Sequence, residues 1–100
     1  MAGTRYEFES ELFEWAARRE KWVFAALPDD VSADIREVPR PRAGFDSVRV
    51  TVTLGSSRWA TSIFPDSADG PYVVPIKRAV RDAEGVDTGD RVRLGVETVD

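Results

Sequence analysis

Apolar and polar positions alternate in several short stretches of this chain. "YEFESELF" puts Tyr6, Phe8, Ser10 and Leu12 on one side and Glu7, Glu9, Glu11 and Phe13 on the other. A period of two is the mark of a half-buried strand. "SVRVTVTL" points Val48, Val50, Val52 and Leu54 one way and Arg49, Thr51 and Thr53 the other. "RWATSIF", the short "YVV" and the closing "RVRLGVETV", with Val92, Leu94 and Val96 inward, read as strands in the same way.

Two stretches follow helical spacing instead. In "DDVSADIREV", Val31, Ile35 and Val38 recur at i, i+4 and i+7, after Pro28 and two aspartates that suit a helix entrance. In "IKRAVRDAE", Ile76, Ala79, Val80 and Ala83 form the expected buried stripe. Pro75 is expected to start this helix, and Gly85 to take the left-handed position just past its end. The segment from Leu12 to Ala26 is ambiguous, because Leu12, Trp15, Ala16, Trp22, Val23 and Ala26 nearly fit one helical face. Arg19 would then face the core. Two strands joined by a charged connection at "AARREK" avoid that burial, with "KWVFAAL" as the second strand.

The helices and the strands after them echo one another. Leu27-Pro28 and Val74-Pro75 precede the helices. Asp46-x-Val48-Arg49-Val50-x-Val52 and Asp90-x-Val92-Arg93-Leu94-x-Val96 follow them. The order strand-strand-helix-strand thus runs twice, over residues of about 5–54 and 57–98 of a single expected domain, 1–100. One such unit cannot cover both faces of its own sheet. Two units about a pseudo-twofold axis can, and closure into a β-barrel removes exposed edges. The expected fold is mainly β, a pseudo-twofold barrel capped by two short helices.

Composition narrows the chemistry. The chain has 100 residues, no cysteine and no histidine. Disulfides, thiolate chemistry and histidine-based triads cannot be built from it, and no metal or cofactor is expected. No apolar run approaches a membrane span, and "MAGTRYEFES" lacks an export signal core. Location in the cytoplasm is therefore the expectation. The net charge of −4 is shared evenly between the halves and opposes non-specific binding to nucleic acid.

"VRVTVTLGSSRWATSIFP" and "YVVPIKRAVRDAEGVDTGDRVRLGVE" resemble the bacterial domain-of-unknown-function family DUF1905. The resemblance runs from about Tyr6 to Val99. It is most specific at Val80-Arg81, Gly85 and Gly89-Asp90, and loosest over the first thirty residues. It implies a double-split β-barrel related to the AbrB/MazE-like barrels, with one chain doing the work of their dimer. Some longer members continue into a bacteriocin-protection-type segment, which is not expected in a chain ending at Asp100. The family carries no established activity, so no catalytic residue is transferred.

Three kinds of function follow from the residues. The first is a non-catalytic binding or interaction module, expected as a monomer, whose ligand or protein partner the sequence does not identify. Trp59 and Thr61 share a strand face, and Lys77 and Arg81 share a helix face, so these four are the candidates for contact with a small anionic ligand. The second is a DNA-binding regulator by analogy with the AbrB/MazE-like barrels, with Arg49 and Arg93 as pseudo-symmetric phosphate contacts joined by Arg58 and Arg91. Against it, Glu7, Glu9 and Glu11 are expected to pair with these arginines across strands. The third is an enzyme, which the sequence disfavours. Asp29-Asp30 is explained by capping, Lys77 reads as exposed, and "GSS" and "TSI", which holds Ser62, have no nucleophile-elbow context.

Overall fold

The computed structural model describes residues 3–15, 22–37, 47–67 and 70–99. Seven strands and two helices run in the order β1 (Arg5–Glu11), β2 (Phe13–Trp15), β3 (Trp22–Ala26), α1 (Asp29–Glu37), β4 (Val48–Leu54), β5 (Ser57–Pro65), β6 (Tyr72–Pro75), α2 (Arg78–Glu84) and β7 (Arg91–Thr98). All the strands join one antiparallel sheet in the order β1-β7-β4-β5-β6-β3-β2. The two ends of that order, β1 and β2, are successive parts of one stretch of chain, so the sheet curls back on itself into a barrel-like shell. Leu12 is the pivot between them. It is fully buried, its N–H donates to the Asp90 carbonyl at 2.9 Å, and its carbonyl accepts from Gly89 N–H at 2.8 Å. Across the seam, the Ser10 hydroxyl donates to the Ala26 carbonyl at 2.9 Å.

The inward residues are those the alternation selects. Phe8, Leu12, Val50, Val52, Leu54, Ile63, Val92, Leu94 and Val96 belong to one buried cluster with Val23, Ala25, Val74 and Ile76. The segment around Trp15 and Trp22 is a strand pair and not a helix, with Phe13 opposite Phe24 and Trp15 opposite Trp22. The "AARREK" connection and the basic loop ending at Asp46 lie outside the described residues.

Two pairs of positions that the sequence echo aligns face each other in the sheet. Matching Asp46 to Asp90 makes Val52 equivalent to Val96, and these two are direct partners between β4 and β7. Matching Pro28 to Pro75 makes Ala26 equivalent to Val73, and these are direct partners between β3 and β6. Following the ladders outward, Arg5 corresponds to Arg58 through the Glu97 and Thr53 pairs. At the other end Phe13 corresponds to Asp66, whose N–H bonds the Pro71 carbonyl at 3.1 Å. Both matches have the same spacing along the chain, so β1 and β2 together occupy the place that β5 fills alone.

The helices seal the shell with little surface. On α1, Ile35 is fully buried and Val31 half-buried, while Val38 lies outside the described residues. Ser32, which the apolar stripe omits, is buried and accepts the Tyr72 N–H at 3.0 Å. The Tyr6 hydroxyl donates to the Asp34 carboxylate. Arg36 donates to the Gly70 carbonyl at 2.7 Å with its guanidinium 5.2 Å from the centre of the Tyr72 ring.

Helix α2 corrects two expectations. It begins at Arg78, not at Pro75, which instead ends β6 opposite Phe24. A proline φ fits both a helix start and an extended strand end, so sequence cannot separate the two. Ala79 and Ala83 are exposed, because a helix of two turns buries only Val80 and the preceding Ile76 of the expected stripe. Gly85 does cap the helix in the left-handed conformation, with φ of 68°. The last helical residue, Glu84, accepts hydrogen bonds from Ser57 Oγ at 2.6 Å and Ser56 Oγ at 3.2 Å. These bonds, Ser57's above all, hold its carboxyl below the usual carboxylate range against the opposing effect of burial. They clamp α2 to the β4–β5 turn. At Gly55 in that turn, φ is 61° and the Glu84 carboxylate fills the space a Cβ would need.

Candidate functional site

The members of the sequence-derived contact group each take partners of their own. Trp59 is half-buried on the inward face of β5, opposite Val52, and packs against the core. Thr61, half-buried, follows it on the same face. Arg81 has a nearly buried side chain that donates to the Ile76 carbonyl at 3.2 Å and pairs with Asp87 at 3.5 Å. Its acidic partner is Asp87, and the guanidinium fastens the turn after α2. Lys77 is exposed. The bond from Ile76 N–H to the Val23 carbonyl, 2.9 Å, extends the β3–β6 ladder past β6. Lys77 therefore falls opposite Trp22 rather than beside Trp59.

The arginines proposed for phosphate contact lie on the outer face of β1, β7, β4 and β5. Arg93 pairs with Glu7 at 3.2 Å, Arg91 with Glu9 at 3.1 Å, and Arg58 with Glu97 at 3.9 Å. Arg5 and Arg93 both hydrogen-bond Glu7 and hold its carboxyl below the ordinary carboxylate range. Exposed pairs of this kind add little stability, but they neutralise the face. Arg49, opposite Ser62, has no acidic partner among the described residues. Among those residues no cluster of acidic side chains is arranged to hold a metal ion. No helix there is long and apolar enough to cross a membrane.

A different group of residues does come together. Phe13, Trp15, Trp22, Phe24 and Phe64 lie on the outer face of β2, β3 and β5. Trp15 stands 4.4 Å from Phe24 between ring centres, and Trp22 lies nearly parallel to Phe24 at 6.2 Å. Phe64 meets Phe24 edge-on at 6.0 Å, and Phe13 completes the ring of neighbours at 6.1 Å. Phe24 is 2% exposed at the centre, whereas Trp15 and Trp22 are 39% and 48% exposed. An aromatic pair contributes about 0.5–1.5 kcal/mol beyond its buried area. The cluster therefore stiffens the β2–β3 hairpin while leaving two indole surfaces open to solvent. Phe24 and the fully buried Val73 lie outside the interior cluster, so this is a second apolar assembly on the opposite side of the sheet.

The sequence analysis missed this face, although a signal was present. "FEW" and "WVF" are mirror images, and antiparallel pairing of mirrored aromatics at a period of two must put all four on one side.

The family described as domain of unknown function (DUF1905) matches residues 8–96. The chain belongs to the DUF1905 family. The match spans the barrel strands, the aromatic face and both helices. No curated protein matches the chain. As a DUF1905 domain it inherits no assigned chemistry, so a functional reading must come from its own surfaces.

Proposed function

We propose that this DUF1905 domain is a non-catalytic binding module whose contact surface is the aromatic face of β2, β3 and β5. The observation that carries the reading is the pair of exposed tryptophans set on a buried phenylalanine. Tryptophan supplies large contact area with few rotatable bonds, and it is enriched among the residues that dominate interface energies. A rigid strand pair holds both rings in place before any partner arrives, which lowers the ordering cost of binding. The same reading treats the two strand-strand-helix-strand units as copies of one ancestral unit and the domain as a cytoplasmic monomer. The regulator analogy draws no support from the outer arginines, since three of them already face glutamates.

The test uses peptides selected from a random displayed library on the immobilised domain. The Trp15→Ala/Trp22→Ala variant is expected to bind the selected peptides about thirtyfold or more weakly, while its circular dichroism stays that of a folded β protein. Equal binding by the variant and the parent would remove the aromatic face from the account.

A further inference from the structure

We infer that the partner of the aromatic face binds as an extended segment of another protein, added as a strand to the open edge of β5 at Arg58, Ala60 and Ser62. This rests on the binding-module reading above and adds the partner's conformation and its main-chain contacts. The two-residue turn Gly55-Ser56 joins β4 to β5, so Leu54 and Ser57 close the hairpin as a hydrogen-bonded pair. Such pairs recur at every second residue, so Ser57, Trp59, Thr61 and Ile63 turn their N–H and C=O groups to β4. The main-chain groups of Arg58, Ala60, Ser62 and Phe64 therefore point to the other edge. β6 takes up the far end of that edge, where Phe64 faces Val73 and the Asp66 N–H reaches the Pro71 carbonyl at 3.1 Å. It then leaves β5 and follows β3, with Pro75 opposite Phe24. Among the described residues no strand continues the pairing at Arg58, Ala60 and Ser62.

This edge is unguarded where its counterpart is guarded. Proteins blunt open edges with charged side chains, prolines or bulges. The echo that matches Arg5 to Arg58 matches Glu7 to Ala60 and Glu9 to Ser62. β1, at one end of the sheet order, thus lines its open edge with ion-paired side chains. β5 has Arg58 at one end and then only Ala60, which is exposed, and Ser62. On the outer face these two lead directly to Phe64, whose ring centre lies 6.0 Å from that of Phe24 and 6.4 Å from that of Trp15. The open edge and the aromatic face are therefore continuous.

Donors and acceptors that repeat every second residue, about 7 Å apart, are matched by another extended backbone. A phosphodiester chain offers acceptors without the alternating donors. A second copy of β5 would satisfy the same groups, but it would bring only Arg58, Ala60 and Ser62 to the outer face. Both copies would also carry a net charge of −4, which opposes their association. A foreign strand can pair with β5 and place apolar side chains at alternate positions, on the side where the rings stand.

The test uses a peptide selected on the parent domain and shown to need Trp15 and Trp22. N-methylation of its backbone, one residue at a time, should weaken binding about tenfold at alternate positions and little between them. Ala60→Pro removes an N–H that β4 does not use, so the hairpin is retained, and this variant should also lose about tenfold. On the parent, the Ala60 and Ser62 amides should exchange slowly with solvent only when the peptide is bound, whereas Trp59 and Thr61 are slow throughout. Should Ala60→Pro fail to fold, the methylation series and the amide exchange decide. If the peptide tolerates N-methylation at every position and leaves the Ala60 and Ser62 amides fast, strand addition fails and the binding-module reading stands. If no selected peptide depends on the rings of Trp15 and Trp22, both fail. Tighter binding to oligothymidylate than to the peptides overturns the inference. So does concentration-dependent self-association that protects the Ala60 and Ser62 amides.

Discussion

Leu94→Ala lowers the unfolding free energy by about 3 kcal/mol, which for a domain of this size is a fall in melting temperature of roughly 10–20 °C. Leu94 is 1% exposed and sits in β7 between β1 and β4, opposite Phe8 on one side and Leu54 on the other. Truncation removes the methyl groups that fill the space between these partners, and three hydrogen-bonded strands cannot collapse far into the gap. The transfer loss and the residual cavity therefore add. A total margin of about 5–15 kcal/mol makes this a large share of the stability. Urea unfolding monitored by tryptophan fluorescence measures it. A midpoint unchanged from the parent would mean that β7 does not present Leu94 to the interior.

Phe24→Ala costs a similar amount, about 3 kcal/mol, for a different reason. Phe24 is almost fully buried, but what covers it is the outer cluster of Phe13, Trp15, Trp22 and Phe64. Its removal leaves a depression that opens toward solvent, which water and a shifted indole can partly fill. The loss therefore falls near the lower end for a buried phenylalanine. The distinguishing outcome is functional: Phe24→Ala should also abolish the peptide binding that depends on Trp15 and Trp22, whereas Leu94→Ala should leave it intact at temperatures where the domain is folded. Isothermal titration on both variants separates the two. Equal peptide affinity for Phe24→Ala and the parent would show that the rings bind without their support.

The barrel strands were legible because each has one wet and one dry face, and that division writes itself into the sequence at a period of two. Val48 to Leu54 and Val92 to Val96 are the clearest cases, and the pairing of Val52 with Val96 became visible only in the sheet. The start of α2 was not legible, since Pro75 fits either a strand end or a helix entrance and only the partner across the ladder, Phe24, decides. The exposure of Ala79 and Ala83 was hidden for a related reason. Helical spacing shows which residues share a face, not how much of that face a short helix covers. For the expected contact group of Trp59, Thr61, Lys77 and Arg81, sequence spacing gives neighbours along an element but not the partners each side chain takes. Arg81 binds the Ile76 carbonyl and Asp87, and the β3–β6 register sets Lys77 opposite Trp22. The outer aromatic face was encoded locally by the mirrored "FEW" and "WVF". Phe64, however, joins it from a strand far along the chain.

The most direct measurement of the contact surface is a backbone and indole N–H chemical-shift map of the isotope-labelled domain, titrated with a peptide selected on it. The account predicts that the largest shifts fall on the Trp15 and Trp22 indoles and on the backbone of β2, β3 and the end of β5, with Lys77 and Arg49 at the border and β7 unmoved. Shifts centred on Arg91, Arg93 and the glutamates of β1, with both indoles unmoved, would contradict it.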